Sequence, residues 1–367
     1  HSNLRRQRQM CIRDRLMLSK TRGALFYAVM FVSTIFAAAT GIVGASVTIL
    51  GIMAGKTMIR TGYDTRLSAG LICAGGTLGI LIPPSIMLVV MGPVLEIPVT
   101  DLFAAAIMPG ILLASLYAAY TTLRCYLNPK LGPVLPENEQ PTNMAKVWYE
   151  FIMGLIPPAG LVFFALGSIL FGLATPTEGA GMGAFGAILL ALVYKKLTLS
   201  GLKEALIKTL EITALIMFLV AASNFFGAVF SKLGTPSLLT DFLLNLEVNR
   251  YVILAIIMAA IFLLGWPLEW VPIVLIVLPI VLPLVIELGF NLTWFAILVA
   301  VNLQTAWLSP PVALSAYFLK GVVPEWDLKD IYLGMMQFMV IQVIGLILII
   351  IFPKIALWLP GVMYPSP

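Results

Sequence analysis

Long uncharged stretches alternate with short polar ones along the whole chain. A helix crosses a bilayer with about 20 predominantly apolar residues, and most of the stretches approach or exceed that length. None shows the residue-by-residue alternation of an outer-membrane β-barrel. The pattern predicts an all-α polytopic membrane protein. The uncharged stretches are 23–55, 67–95, 102–123, 151–177, 179–194, 212–231, 251–268, 270–286, 288–319 and 331–353.

The stretch 67–95 contains residues that interrupt a helix. Three glycines, a threonine and two adjacent prolines lie between Gly75 and Pro84. Non-helical backbone at membrane depth is tolerated where it is buried in protein or lines a cavity. The sequence therefore predicts a broken helix whose freed backbone groups face something polar. A kinked helix packed through small residues is the alternative.

Two other stretches predict re-entrant hairpins. The run 23–55 has a small, weakly polar middle at 37–46 and is too long for one simple span. The run 251–286 is interrupted by the segment 264–270, which contains Gly265, Pro267 and Glu269. For the first run, the alternative is a single tilted helix with a small-residue packing face.

Matched landmarks indicate an internal repeat. Gly62-Tyr63-Asp64 and Gly289-Phe290-Asn291 each follow a predicted hairpin. Both glycines precede the first proline of a Pro-Pro pair by 21 positions (83 − 62 and 310 − 289). Interrupted hydrophobic segments at matching positions in two halves indicate the binding site of a transporter.

The repeat divides the chain into four parts. Residues 1–19 form a basic leader that is interpreted as non-native or disordered, 20–124 the first repeat, 125–149 a cytoplasmic linker, and 150–360 the second repeat. The first repeat holds hairpin 23–55, broken helix 67–95 and span 102–123. The second repeat holds spans 151–173, 179–194 and 212–230, hairpin 251–286, broken helix 293–319 and span 331–353. Residues 195–211 are predicted to form a separate amphipathic helix at the membrane surface.

Charge predicts the orientation of this arrangement. If each hairpin returns to its side of entry, 14 Lys and Arg outside the leader fall on one side and 3 (Lys232, Arg250 and Lys354) on the other. The positive-inside rule makes the first side cytoplasmic. The two hairpins then enter from opposite faces, as in an inverted repeat.

Composition supports a membrane protein and excludes several classes of function. The chain is 60% hydrophobic and 11% charged, against about 25% charged residues in soluble domains. Its only histidine is His1, no GxxxxGK[ST] loop is present, and the three cysteines are expected to be free thiols. The sequence therefore predicts neither an enzyme nor a bound cofactor. A passive channel remains an alternative.

The candidate substrate- and ion-binding residues lie on the hairpin tips and broken helices. Half-helix N-termini there would attract an anion, and unwound carbonyls with hydroxyls would suit Na⁺. The Na⁺ candidates are Ser46, Thr77, Glu269 and Ser309. The full set is Thr40, Gly41, Gly44, Ser46, Gly75, Gly76, Thr77, Gly79, Pro83, Pro84, Gly265, Glu269, Asn302, Gln304, Thr305, Ser309, Pro310 and Pro311.

Four motifs resemble the large membrane subunit of TRAP (tripartite ATP-independent periplasmic) transporters. They are GGTLGILIPPS (75–85), DLFAAAIMPG (101–110), TPTEGAG (175–181) and VNLQTAWLSPPVALSAYFLKGVVP (301–324). The ending over 331–360 looks closest to the branch annotated for mannitol or chloroaromatic compounds.

The resemblance implies an elevator-type transporter in a bacterial or archaeal cytoplasmic membrane. It implies Na⁺-coupled uptake of a small organic solute, usually a carboxylate. A small membrane subunit and a periplasmic solute-binding protein would be partners. A self-sufficient ion-coupled permease of the wider inverted-hairpin superfamily is the alternative.

Two positions depart from the family pattern, and the start of the chain is unusual. The family has Thr-Pro-Pro followed closely by Gly, whereas this chain has Ser309 before the prolines and Ala313 after them. Glu269 stands where the family commonly has Asp. The family's first helices are expected to be missing, which would make the chain N-terminally truncated.

Overall fold

The computed structural model describes residues 23–133, 144–245, 248–310 and 312–364, with side chains described except at 37–40, 144–155 and 158. The predicted leader and the middle of the predicted linker lie outside these residues. Every regular element in the described part is helical. This confirms the all-α prediction.

The first half contains two interrupted helical segments followed by one long helix. A π-helical turn, Gly51–Gly55, joins α2 to α3, and a 3₁₀ turn, Leu78–Ile80, follows α4. The helices are α1 (Ala24–Thr40), α2 (Val43–Leu50), α3 (Lys56–Arg60), α4 (Thr65–Thr77), α5 (Ile86–Leu95) and α6 (Val99–Leu127).

The second half repeats this order after three additional helices and the short α10. Its helices are α7 (Met144–Leu170), α8 (Pro176–Val193), α9 (Leu199–Lys232), α10 (Thr235–Leu244), α11 (Arg250–Leu264), α12 (Trp270–Glu287, with a π-helical Ile273–Val277), α13 (Leu292–Ala306), α14 (Leu314–Val322), α15 (Leu328–Ile351) and α16 (Lys354–Met363). Five of the described helices are long and apolar enough to cross a membrane, namely α6, α8, α9, α12 and α15.

Helix α9 corrects one prediction. The sequence predicted an amphipathic surface helix over 195–211 and a separate span over 212–230, but Leu199–Lys232 is one continuous helix. The segment contains no proline, and its glycines, Gly201 and Gly227, lie near its two ends. Nothing in its interior therefore breaks the backbone hydrogen bonding.

The matched landmarks of the two repeats have the same structure. Gly62 and Gly289 both adopt φ 70°, the left-handed conformation that ends a helix. Asp64 then accepts a hydrogen bond from the Leu67 backbone N–H at 2.8 Å, and Asn291 accepts one from the Trp294 N–H at 3.0 Å. Each motif therefore terminates one helix and caps the next, α4 or α13.

Helices α4 and α13 form the centre of the molecule. All described side chains from Leu67 to Thr77 and from Trp294 to Thr305 are buried. Helix α4 packs against α1, α2 and α15, and α13 packs against α6, α11 and α15. A helix that is apolar around its whole circumference requires such a central position.

Candidate functional site

In each half, the turn between two helices, α1 and α2 or α11 and α12, contacts the broken helix of the same half. Gly41 turns the chain between α1 and α2 with φ 60°, and a Cβ there would lie 3.3 Å from the Pro84 carbonyl oxygen. In the second half, a Cβ on Gly265 would lie 2.9 Å from the Ala306 Cβ. Both turns thus sit where the following broken helix loses its α-helical geometry.

The two turns and the two breaks meet at one cavity of about 200 Å³, here called the tip cavity. A second cavity of about 160 Å³ shares Glu269, Trp270 and Trp307 with it. Helix α9 completes the wall of the tip cavity. The lining residues are Gly41, Ile42, Val43, Ile80, Ile86, Met87, Ile212, Leu215, Ile216, Leu219, Glu269, Trp270, Val271 and Trp307.

Three helices begin at the tip cavity. Helices α2, α5 and α12 start at Val43, Ile86 and Trp270, and all three residues line the cavity. None of the three has a side-chain hydrogen bond at its N-cap. The first N–H groups of a helix lack partners within the helix, and the helix dipole places partial positive charge there. The arrangement suits an anion.

Among the described residues that line the tip cavity, Glu269 alone is ionisable. It occupies the N-cap position of α12, and its side chain is exposed and makes no capping hydrogen bond. The described residues provide no salt bridge to it. Its carboxylate is therefore free to contact a cation in either cavity.

A serine hydroxyl satisfies a backbone carbonyl at each break. The Ser85 hydroxyl donates to the Ile80 carbonyl, and the Ser315 hydroxyl donates to the Trp307 carbonyl. Ile80 and Trp307 each precede the first proline of their pair by three positions (83 − 80 and 310 − 307), so the two carbonyls are equivalent in the repeat. Sequence analysis missed both serines, although each follows its Pro-Pro pair closely.

The polar residues predicted on the second broken helix make hydrogen bonds to neighbouring helix groups. Asn302 donates from Nδ2 to the Met258 carbonyl at 2.7 Å, and Ser309 donates to the Thr305 carbonyl at 2.6 Å. Thr305 donates in turn to the Asn302 carbonyl. All three are buried, and none is among the lining residues of the two cavities.

Gln304 pairs with Gln342 of α15 in the buried core. Gln342 donates from Nε2 to Gln304 Oε1 at 2.6 Å. Gln304 Nε2 and Gln342 Oε1 have no partner among the described residues. The pair connects the second broken helix to α15.

Several candidates of the first half also serve packing. A Cβ on Gly44 would lie 2.9 Å from the Phe318 ring, one on Gly75 2.6 Å from Ser33 Oγ, and one on Gly76 2.4 Å from a Val47 methyl. These glycines allow close helix approach.

The other candidates of the first half differ in their surroundings. Ser46 and Thr77 are fully buried, and Thr77 donates to the Ala74 carbonyl at 2.8 Å. Gly79 is buried in the 3₁₀ turn. The Thr40 side chain lies outside the described residues.

The proline candidates shape the breaks. Pro83 is buried and Pro84 contributes to a separate apolar cavity of about 510 Å³ between α5, α6, α7 and α8. Pro310 is half-buried, and Pro311 lies outside the described residues. Of the predicted set, Gly41, Gly265 and Glu269 line the two cavities that meet at the tips.

The residues that sequence analysis missed are mostly apolar. Ile42, Ile80, Ile86, Trp270 and Trp307 flank the turns and breaks and form the wall of the tip cavity. Their position beside the interruptions was the only available signal, since apolar residues are expected everywhere in a membrane protein.

The tip cavity offers few carboxylates to a cation. The described residues contain no group of three or more His, Cys, Asp or Glu side chains that could hold a metal ion. A monovalent cation could instead use the Glu269 carboxylate with backbone carbonyls and hydroxyls.

A family described as "Tripartite ATP-independent periplasmic transporter, DctM component" matches residues 15–355 of this chain. The chain belongs to this DctM family. The match confirms the resemblance found in the four motifs. DctM is a family of transporter permeases, not of enzymes. The chain's membership of this family and its long apolar helices together identify a multi-pass membrane protein.

Curated relatives agree with the family match. The chain is 30% identical to the C4-dicarboxylate TRAP transporter large permease protein DctM of Pseudomonas aeruginosa, over 93% of this chain and 78% of the relative. It is 28% identical to the sialic acid TRAP transporter large permease protein SiaM of Vibrio cholerae, over 92% and 78%. It is 27% identical to the 2,3-diketo-L-gulonate TRAP transporter large permease protein YiaN of Escherichia coli, over 91% and 77%.

Proposed function

We propose that this DctM protein takes up a small organic anion across the inner membrane by Na⁺-coupled secondary active transport. The main support is the tip cavity, where both turns and both breaks meet. Three helices without a side-chain hydrogen bond at the N-cap begin there. The N–H groups of these helices would hold the carboxylate of the solute.

The coupling ion is proposed to bind near Glu269. Of the four Na⁺ candidates, Glu269 alone lines the tip cavity, whereas Ser46, Thr77 and Ser309 are buried and do not line it. A sodium ion beside Glu269 would lie close to the substrate, and each would lower the electrostatic cost of burying the other. This proximity would couple the two binding events.

The repeat supports an elevator mechanism with re-entrant hairpins. The equivalent caps at Asp64 and Asn291 and the equivalent serine bonds at Ile80 and Trp307 support a repeat of two similar halves. We infer that α1–α5 and α11–α14 carry the solute, while helices such as α9 remain fixed. As membership of the tripartite family implies, a periplasmic binding protein and a small membrane subunit would complete the transporter.

Uptake into proteoliposomes tests the proposal. The chain would be reconstituted with its small subunit, supplied with its binding protein and candidate organic acids, and exposed to an inward Na⁺ gradient. Accumulation above the external concentration is expected only with the gradient. Glu269→Gln should lower Na⁺-dependent uptake about tenfold, because it removes a charged ligand. Glu287→Gln, at the other end of α12, is the matched control and should leave uptake unchanged.

Other outcomes separate the alternatives. Equilibration without accumulation would indicate a passive channel. Full uptake without any binding protein would indicate a self-sufficient permease. Equal Na⁺ dependence in Glu269→Gln and the wild type would remove Glu269 from the ion site.

A further inference from the structure

The tip cavity has an apolar wall. Apart from Gly41 and Glu269, its lining consists of aliphatic side chains, one methionine and two tryptophans. No Lys, Arg or His is among these described residues. The polar side chains predicted on the second broken helix are not among the lining residues; they are Asn302, Gln304, Thr305 and Ser309.

This wall does not suit a dicarboxylate. A buried carboxylate is costly unless it is paired with donors or a cation. One carboxylate can be held where α2, α5 and α12 begin, but a second would meet aliphatic side chains or Glu269. A sodium ion on Glu269 would neutralise it and leave no surplus positive charge for another anion.

We infer that the tip cavity binds a monocarboxylate whose remaining body is apolar. The inference rests on the proposed function and specifies its substrate class. The carboxylate lies at the three helix N-termini, and the apolar body packs against Trp307, Ile86 and Leu215. The solutes in the names of the relatives are more polar, so this chain differs from them in specificity.

Calorimetry on the full chain with its small subunit, in nanodiscs containing Na⁺, tests the substrate class. The probes are phenylacetate and 4-methyl-2-oxopentanoate, compared with succinate, gluconate and phenylalanine. The two apolar monocarboxylates should bind at least about tenfold more tightly than the others. Gluconate tests the polar body and succinate the second carboxylate. Phenylalanine tests an ammonium group, which a Na⁺ held by Glu269 would repel.

Substitutions test the location. Trp307→Gln should weaken binding of the apolar monocarboxylates about tenfold, because it removes an aromatic wall. Trp307→Phe should retain most of the affinity. Binding by this variant would show that the protein still folds when Trp307 is replaced. Trp358→Gln, on an exposed side chain of α16 away from the cavity, should have no effect.

Tighter binding of succinate, gluconate or phenylalanine would overturn the inference, as would binding of none of the probes. Unchanged affinity in Trp307→Gln would overturn the location. The proposed function would survive these results if Na⁺-driven accumulation of another organic acid were observed. Absence of Na⁺-driven accumulation for every organic acid would instead reject the proposed function.

Discussion

At the scale of single residues, Ala313 adopts a conformation that suits glycine. Its φ of 31° and ψ of 62° are left-handed, and it is fully buried directly before α14. For a residue with a Cβ, the left-handed region costs about 1–2 kcal/mol. The Ser309-Pro310-Pro311 break therefore requires a glycine-like turn that this sequence fills with alanine.

Glycine substitution should affect stability differently at Ala313 and at Ala316. Ala313→Gly relieves the left-handed strain, whereas Ala316→Gly only adds backbone freedom to α14. Both remove one buried methyl group, so the Ala316 variant should be less stable than the Ala313 variant by about 1 kcal/mol or more. Thermal unfolding of both purified variants measures the difference. Equal loss of stability would contradict the strain at Ala313.

At the scale of elements, α4 and α15 cross through a pair of glycines. A Cβ on Gly334 would lie 2.0 Å from the Arg66 carbonyl oxygen, and one on Gly70 2.5 Å from the Gly334 carbonyl oxygen. Arg66 Nε also bonds Asp330 Oδ1 at 2.8 Å beside this crossing. This close approach packs α4, the first part of the broken helix in the first half, directly against α15.

Gly334→Ala should force α4 and α15 apart. Because a backbone carbonyl cannot move as a flexible side chain would, we expect a loss of about 1–3 kcal/mol in unfolding free energy. Gly361→Ala in α16 is the control, since nothing lies within 4 Å of its Cβ position. The control should unfold at or above the wild-type temperature. Wild-type stability of Gly334→Ala would show that the helices do not cross this closely.

At the scale of the whole molecule, the charge asymmetry predicts the orientation of the two halves. Lys130 follows α6 and Lys232 ends α9, and the sequence places them on opposite sides of the membrane. This opposition is the basis of the proposed inverted repeat.

Cysteine labelling tests the orientation. In spheroplasts, a membrane-impermeant maleimide should label Lys232→Cys and not Lys130→Cys, and inside-out vesicles should give the reverse. Cys73 and Cys125 are buried, whereas Cys11 lies outside the described residues. Each substitution is therefore made in a Cys11→Ser chain, which also provides the background. Labelling of both positions from the same side would reject the inverted arrangement.

The ends and breaks of the four helical segments around the site follow from local sequence. Gly62 and Gly289 terminate helices, Asp64 and Asn291 cap them, and the Pro-Pro pairs follow the breaks, because these effects depend on local backbone chemistry. The family membership was also readable from four motifs.

Which side chains face the cavity depends on how the helices pack against one another. Asn302 and Gln304 are predicted ligands, but hydrogen bonds join them to Met258 and Gln342 in the core. Conversely, Leu215 forms part of the cavity wall although nothing in its local sequence distinguishes it from the other apolar residues of α9. A buried polar group takes whichever partner packing brings near, and that partner lies far away in sequence.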